Sequence, residues 1–510
     1  MNNKNVLRST ALLTMSGIAA KTIDFIFRAY YSRQLGTEGL GIFSLCFAVH
    51  GIMLNIATGG LGVAVSKIIS EKYSQRRFGE IKKTMTIALT TVFSLSIAVI
   101  LISCLLSTQI AEFFLKEPRA AVSLMCISPS ILFMGISYCI KGYFYASRRI
   151  MPPASSEFLE QAVKIISITY LLPKMLPMGV EHGCEAVFLG FSIGEFSSCL
   201  YLSLFYAVDS RRLKAEKETK FFSLVSPMLK IALPLTLNSL LNSFLRMHEE
   251  VLIVASLQKS GLEHSAALSL YGGLHGMVMP LIVFPLTLLS SCFTMLVPEI
   301  SRAYARESSI RLKTLVSRIY RFCTFFGFLV MTVIVTFSKE LSVLVYNAPE
   351  ISHYLKILAL LTPFMFMDSV SCGILNGMGK QGTLLTYSLT DSLLRIGLIL
   401  AIVSRYGIGA FVFIIITSNL FTVILTVRKV LKVSGLHFEW FGWLLKHIIP
   451  ATVAWFVSGG LILNFMQGGT FEVASGMVIT AFIYFATDAA LSSTLRSDAA
   501  WLVGRMFFAS

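Results

Sequence analysis

Long apolar runs recur along the whole of this 510-residue chain and constrain its fold more than any other feature. A helix of about 20 residues crosses the ~30 Å hydrocarbon core of a bilayer. Backbone polar groups in lipid must bond within their own segment, so each run is expected to be a helix rather than a barrel strand. The predicted spans are 8–32, 39–68, 84–107, 120–144, 154–173, 186–208, 228–257, 266–296, 316–338, 354–375, 384–404, 408–428, 444–465 and 471–493.

These spans predict an all-α polytopic membrane protein with about fourteen transmembrane helices. Only 14% of the residues are charged, against ~25% in an average soluble protein, and 55% are hydrophobic, which leaves too little polar surface to coat a soluble core. The first span continues through Lys21 and Arg28 without a small-residue cleavage site, so we expect a retained helix instead of a signal peptide. The nine cysteines include no Cys-x-x-Cys and are expected to be buried apolar residues, with no metal site.

The net charge of +16 indicates membrane topology and not a nucleic-acid partner. Lysine and arginine collect in cytoplasmic loops. With the N-terminus inside, thirty of these residues fall in inner loops and eight in outer loops. If one helix were missed or added, the loops after it would change sides and this asymmetry would be lost. The sequence therefore predicts a multi-pass membrane protein with both termini in the cytoplasm.

Pairs of charged residues indicate an internal repeat, as in many transporters. Glu160 and Lys164 lie four residues apart in the fifth span, and Asp391 and Arg395 repeat that spacing 231 residues later. The predicted division is an N-terminal six-helix lobe at 1–210, a C-terminal six-helix lobe at 225–430, and an interfacial segment with two extra helices at 431–510.

Three charged residues of the first span fall on one helical face. Lys21, Asp24 and Arg28 are spaced three and four apart. A charge at bilayer depth usually faces a partner or a water-filled cavity. One acid cannot neutralise two bases, which favours a cationic cavity. The alternative is a self-contained ladder, in which Asp24 neutralises one neighbour and the other side chain extends to the membrane surface.

Other intramembrane charges admit local explanations. Arg246 is followed by Glu249 and Glu250, and Arg246–Glu250 is a possible i,i+4 ion pair. The Glu160–Lys164 and Asp391–Arg395 pairs have the favourable order of an acid before a base and are interpreted mainly as structural pins. His275 is a lone histidine, which is more often satisfied locally. The isolated acids Glu195, Asp368 and Asp488 are weaker candidates for proton or sodium binding.

The cations outnumber the acids that locally cancel them, and a ring of cations at one cavity would attract a phosphate. A drug-cation exporter would need the reverse, acids and aromatics. No catalytic residue is predicted, because the Gly190–Gly194 match to G-x-S-x-G lies inside a membrane helix and indicates small-residue packing. No ATP loop or cofactor motif is present, so transport would be driven by H⁺, Na⁺ or the membrane potential.

The chain also resembles a known family. The residues RAYYSRQLGTEGLG at 28–41, VPEIS at 297–301, APE at 348–350 and LNGMGKQ at 375–381 look like motifs of the stage V sporulation protein B group. That group belongs to the polysaccharide (oligosaccharide) flippases of the multidrug/oligosaccharidyl-lipid/polysaccharide exporter superfamily. The resemblance implies two lobes around a central cavity, as in the multidrug (MATE) exporters and lipid II flippases, with alternating access and Lys21 and Arg28 at the cavity. His275 stands where some lipid II flippases carry arginine, which leaves the cargo open.

These observations together predict a flippase for an undecaprenyl-diphosphate oligosaccharide or peptidoglycan precursor, with a link to spore cortex synthesis. Its expected partners are a lipid-linked sugar diphosphate, membrane lipids and proteins of cell-wall synthesis or sporulation. The alternatives are a MATE-type drug or cation antiporter and a non-transporting scaffold or glycosyltransferase of the cell-wall machinery. The predicted cavity residues are Lys21, Arg28, Arg246 and His275. The predicted coupling or ion-pair residues are Asp24, Glu249, Glu250, Glu160, Lys164, Asp391 and Arg395.

Overall fold

The computed structural model describes residues 3–75, 77–211, 221–293, 297–306, 309–462 and 469–491. Within these ranges the regular structure is helical and no strand occurs. The helices are α1 (Asn3–Thr58), α2 (Leu61–Ser74), α3 (Phe78–Leu105), α4 (Ala120–Ile127), α5 (Ser130–Ala146), α6 (Met151–Met175), α7 (Val180–Ser210), α8 (Phe221–Lys259), α9 (His264–Tyr271), α10 (Met279–Phe293), α11 (Val297–Ala305), α12 (Ser309–Thr336), α13 (Ser352–Ala359), α14 (Thr362–Gly377), α15 (Gln381–Leu398), α16 (Ser404–Ser434), α17 (Lys446–Val457) and α18 (Thr470–Leu491).

Short stretches of π or 3₁₀ geometry join or extend several of these helices. They include Ile110–Leu115, Leu176–Met178, Gly272–Val278, Ser342–Tyr346, Pro349–Ile351, Ile399–Val403, Phe441–Leu445 and Ser458–Ile462. Such turns inside helical segments are often found at functional sites or bends. Gly272–Val278 carries His275, one of the predicted cavity residues.

In the described part of the chain, ten helical ranges are long and apolar enough to cross a membrane, or eleven if the bent pair Pro349–Ala359 and Thr362–Gly377 is one span. The predicted multi-pass helical fold is confirmed. Two of the ten ranges, Gly17–Ser74 and Gln381–Ser434, contain 58 and 54 residues, far more than the ~20 that one crossing needs. The count of fourteen stays a prediction.

Both long ranges break at a glycine. Gly36 in α1 has φ 70° and Gly407 in α16 has φ 63°, a left-handed conformation that costs glycine little because it has no Cβ. The chain therefore changes direction there without a long loop.

The described structure falls into two compact units. The N-unit comprises 22–255 and 263–272, and the C-unit comprises 1–21, 256–262 and 273–510, the latter only in its described residues. The N-unit thus includes most of α8 and all of α9, which follow the first six predicted spans in the sequence. The three-part division predicted from the repeat stays a prediction.

In the N-unit, α2, α3 and α5 share an apolar core that includes Val65, Ile69, Met85 and Tyr143. Helix α7 packs closely on α6 because its glycines leave room. A Cβ added at Gly190 would lie 2.3 Å from Cγ1 of Ile168. The small-residue interpretation of the 190–194 motif is confirmed.

In the C-unit, α12 packs against the two last helices, α17 and α18. The shared core includes Phe325, Phe328, Ala454 and Tyr484. The Tyr484 hydroxyl donates to the backbone oxygen of Phe325 over 3.1 Å. The pair of extra helices predicted from the sequence is therefore fixed to α12 by both apolar and polar contacts.

Candidate functional site

The N-unit holds an ion pair between α1 and α6. Nζ of Lys164 lies 2.9 Å from Oδ1 of Asp24, and the Lys164 side chain is 5% exposed while that of Asp24 is 48% exposed. Nε2 of Gln161 lies 3.4 Å from the same oxygen. Lys164 also lies over the ring of Phe191, 4.6 Å from its centroid. The ammonium is thus held inside the unit by contacts from two other helices.

This arrangement corrects the expected local pair. Lys164 bonds to Asp24 of α1, whereas the sequence suggested Glu160, four residues earlier on the same helix. Glu160 instead lies beside the carboxyl of Glu195 on α7. A carboxylate is only an acceptor, so two carboxyls can share a hydrogen bond only when one of them holds a proton.

Close packing of α7 on α6 produces these contacts. A Cβ at Gly194 would lie 3.0 Å from Cβ of Lys164 and 3.1 Å from the backbone oxygen of Glu160. Glu195, the next residue, is brought alongside Glu160 as a result. The glycines of α7 therefore position the polar groups as well as the backbone.

Arg28 lies one helical turn beyond Asp24 on α1. Its Nε atom is buried and has no hydrogen-bond partner within the described ranges. The two hydrogen bonds that Asp24 accepts come from Gln161 and Lys164 on α6. These bonds do not neutralise the positive charge of Arg28. A buried guanidinium nitrogen without an acceptor is costly unless something else supplies one.

The remaining predicted residues of the N-unit lie on α8. Arg246 is exposed, whereas Glu249 and Glu250 are buried at 6% and 5% exposure. The three residues lie three and four positions apart on one side of α8, and the two acids are the more deeply buried. The Arg246–Glu250 ion pair stays a prediction.

The other predicted residues belong to the C-unit. Lys21 is exposed on α1, and His275 is half-buried in the π-helical stretch before α10. Oδ1 of Asp391 on α15 accepts a hydrogen bond of 2.6 Å from the hydroxyl of Ser418 on α16. Arg395 is half-buried one turn later on α15. The structure thus gives Asp391 a partner that local spacing did not predict.

Sequence reasoning also missed the partners of the isolated acids. Oδ1 of Asp368 accepts from Thr426 over 2.7 Å, and Oδ1 of Asp488 lies 2.6 Å from Nδ1 of His447. Both acids are bonded across helices. The only available signal was their position in apolar helices, which predicts that a polar partner exists but does not identify it.

The fold and the buried charges together define a polytopic helical membrane protein with ionisable groups held between its helices. The chain belongs to the Polysaccharide biosynthesis protein family, whose model matches residues 6–304, more than half of the chain. The MatE model matches residues 234–403. The resemblance to the multidrug/oligosaccharidyl-lipid/polysaccharide superfamily is confirmed, and the chain is a membrane protein of its flippases and exporters.

Individual relatives agree with this assignment. The stage V sporulation protein B of Bacillus subtilis (strain 168) is 24% identical over 448 residues, which cover 85% of this chain and 86% of that protein. A structure of the lipid II flippase MurJ in an inward closed conformation matches 95% of this chain and 99% of its own, with a TM-score of 0.72 and 15% identity. An inward-facing MATE transporter matches 83% and 98%, with a TM-score of 0.63 and 15% identity. The structural matches establish a common fold.

Proposed function

We propose that this protein is a flippase that moves the diphosphate–sugar head of an undecaprenyl-linked cell-wall precursor across a bacterial cytoplasmic membrane by alternating access. The observation that carries the proposal is Arg28, whose buried Nε has no acceptor among the described residues while the neighbouring Asp24 is bonded by Lys164. Lys21 precedes Asp24 by one turn on the same helix. The loop charges favour a cytoplasmic position for both termini.

The chemistry of the head group fits this arrangement. A diphosphate is a multiply charged anion, and arginine binds phosphate oxygens as a fork whereas lysine acts as a point charge. Attraction is strong where water is largely excluded. A small number of cations also suits turnover, because the head must leave on the other side. The lipid tail would stay in the bilayer beside the last two helices.

The names of two relatives support this class of cargo. One is a sporulation protein and another is a lipid II flippase. We therefore place this protein in the synthesis of a peptidoglycan or related polysaccharide, where it would act beside cell-wall synthesis or sporulation proteins. The sugar itself stays open.

We further propose that the Glu160–Glu195 pair holds a coupling proton. Two carboxyls that share a proton change their joint charge when that proton leaves, and Lys164 lies on the same helix as Glu160, close enough to respond. Release of the proton would add a negative charge beside the Lys164–Asp24 pair. The cavity cations would then be balanced differently in the two protonation states.

The test is reconstitution in vesicles with a labelled undecaprenyl-diphosphate sugar and measurement of its exposure across the membrane. Arg28→Ala should lower the flipping rate at least ~10-fold, since a hydrogen bond to a charged group is worth about 1.5–3 kcal/mol. Lys21→Ala should act in the same direction. Arg33→Ala, an exposed arginine five residues along the same helix, is the matched control and should flip at the normal rate.

Full activity of Arg28→Ala and Lys21→Ala would reject the phosphate site. Export of cationic drugs without lipid exposure would instead support the antiporter alternative, and a folded protein that transports neither would support a scaffold. The same vesicles test the coupling. A pH gradient should change the rate for the native protein and have no effect on Glu195→Gln, and an unchanged response of that variant would reject the proton site.

A further inference from the structure

A second charged network lies at the other end of the N-unit, on the side that the loop charges predict to be extracytoplasmic. Nε and Nη2 of Arg119 donate to the two oxygens of Glu117 over 2.8 and 3.0 Å, and Nη1 donates to Oε1 of Glu38 over 2.9 Å. Nε2 of His264 lies 2.7 Å from Oε2 of Glu117. Glu117, with 1% of its side chain exposed, is the centre of the network.

The network joins three separate parts of the chain. Glu38 follows the break at Gly36 in α1, Glu117 and Arg119 precede α4, and His264 begins α9. Residues 256–262 and 273 onward belong to the C-unit, so 263–272 is a ten-residue segment that the second half of the sequence contributes to the N-unit. The bond between Glu117 and His264, the first residue of α9, joins this segment to the first half of the sequence.

The other end of this segment meets α1 with almost no space between the backbones. A Cβ on Gly272 would lie 2.0 Å from the backbone oxygen of Thr37 and 2.5 Å from the backbone nitrogen of Gly41. A Cβ on Gly41 would lie 2.6 Å from Leu268. The contact depends on two glycines and is therefore specific to this arrangement. The segment is held by packing along its length and by the Glu117 network at its start.

The charged groups of this network stabilise one another. Burial raises the pKa of Glu117, but the hydrogen bonds from Arg119 and His264 outweigh it and leave that pKa below its usual value. The hydrogen bond to Glu117, together with Glu38, raises the pKa of Arg119. Glu117 is therefore ionised at neutral pH. A protonated imidazole donates a stronger, charge-assisted bond to a carboxylate than a neutral one.

We infer that Glu117, Arg119, Glu38 and His264 form a charged lock that holds segment 263–272 on the N-unit, and that release of this lock opens the transport path on the extracytoplasmic side. The inference rests on the proposed transport function, because only a transporter needs the path to open. Glu117 bonds to both Arg119 and His264, so removal of its charge releases both partners.

Glu117 sets the sign of the pH effect. Its pKa is lowered, so its contribution is complete above about pH 4.3 and is lost as the pH falls through its folded value. The lock is therefore closed at neutral pH and is weakened in strong acid. Other titratable groups near the network include Cys46, Cys126, Cys184, Lys116, Glu181, His182, Glu185 and Glu263.

Cys46 provides a native reporter of the lock. Its thiol is fully buried beside the loop that carries Arg119, with Sγ 3.9 Å from the backbone oxygen of Ala120. We would keep Cys46 as the single cysteine and label it with a charged, membrane-impermeant maleimide from the extracytoplasmic side. Rates are divided by those of the denatured protein at the same pH, which removes the effect of thiol ionisation.

Glu117→Gln and His264→Ala should each label at least tenfold faster than the parent at pH 7.5, and Arg119→Lys should be intermediate. His182→Gln is the matched control, since His182 bonds to Glu185 three residues away and has no role in the lock. It should keep the parent rate.

Unchanged labelling of either Glu117→Gln or His264→Ala would overturn the lock, and so would an equal increase in His182→Gln. Size-exclusion profiles identify a variant that is merely unfolded. In that case the labelling rate of Arg119→Lys, which keeps the positive charge, tests the lock. Labelling needs no substrate, so a failure of flipping alone rejects the proposed cargo and leaves the lock standing.

Discussion

Three intramembrane acids are satisfied in different ways in the two units. In the N-unit, Asp24 is paired with the ammonium of Lys164 from another helix. In the C-unit, Asp391 and Asp368 accept hydrogen bonds from the hydroxyls of Ser418 and Thr426. At these positions the N-unit pairs a carboxylate with a cation and the C-unit supplies neutral donors, although Glu160–Lys164 and Asp391–Arg395 have the same spacing in the sequence.

The difference separates two segments that the predicted repeat relates to each other. Opposite charges in contact cancel each other, so under the proposed function Arg28 stays available for an anionic ligand. A hydroxyl donor stabilises a carboxylate but leaves its charge in place. We therefore expect the N-unit site to serve an anion and the C-unit acids to keep a negative field for a cation or a proton. Three changes test that contrast.

The largest effect is expected from Asp24→Ala. This change leaves the Lys164 ammonium, 5% exposed, without its main counter-ion, and breaking a buried pair in this way costs about 3 kcal/mol. Lys164→Ala should cost less, about 1 kcal/mol, because Asp24 is 48% exposed and can be hydrated. Thermal unfolding in detergent or lipid measures both.

The double variant Asp24→Ala/Lys164→Ala is the control for this asymmetry. It should recover most of the loss, because no buried charge is then left alone. Equal losses in the two single variants, or a fully additive double variant, would contradict the claim that the pair is coupled.

A smaller effect is expected where α6 and α7 pack closely against each other. Gly190→Ala places a Cβ 2.3 Å from Ile168, so α6 and α7 must separate, at a cost of about 1–3 kcal/mol. Gly397→Ala on α15 is the matched control in the C-unit, since no described atom lies within 4 Å of its Cβ position. It should be neutral or stabilise by up to ~1 kcal/mol, because alanine is the better helix former.

If Gly190→Ala also slows flipping, the separation of α6 and α7 has disturbed the Glu160–Glu195 contact as well as stability. Normal stability of Gly190→Ala would show that the two helices are not held at this distance. The comparison of the two glycines thus separates helix propensity from packing.

The sequence predicted the helices and the class of protein because both depend on local hydropathy and on the number of charges. It did not predict the partner of Lys164. An i,i+4 pair is worth only about 0.2–0.5 kcal/mol, whereas a buried ammonium demands a strong counter-ion wherever packing brings one within reach. The approach of α1 to α6 decides that partner, and no short-range pattern encodes it.

The glycines of α7 show the same limit of prediction from the sequence. The motif at 190–194 predicted close packing, but not that Ile168 and Lys164 lie opposite it. The lock at Glu117 was missed for a similar reason. Glu117 and His264 are 147 residues apart in the sequence, and each of them alone is an ordinary polar residue. Only the folded chain brings them together.

The smallest effect is expected in the C-unit from Ser418→Ala. It removes one hydroxyl from Asp391, a carboxylate that is half-buried on α15. The loss should be about 1 kcal/mol, since water or another polar group can replace part of the bond at a half-exposed site. Thr426→Val tests Asp368 in the same way and keeps the shape of the side chain. Thermal unfolding measures both, and a loss as large as that of Asp24→Ala would mean that the C-unit acids depend on their neutral donors as strongly as the N-unit ion pair depends on its counter-ion, which would remove the contrast between the units.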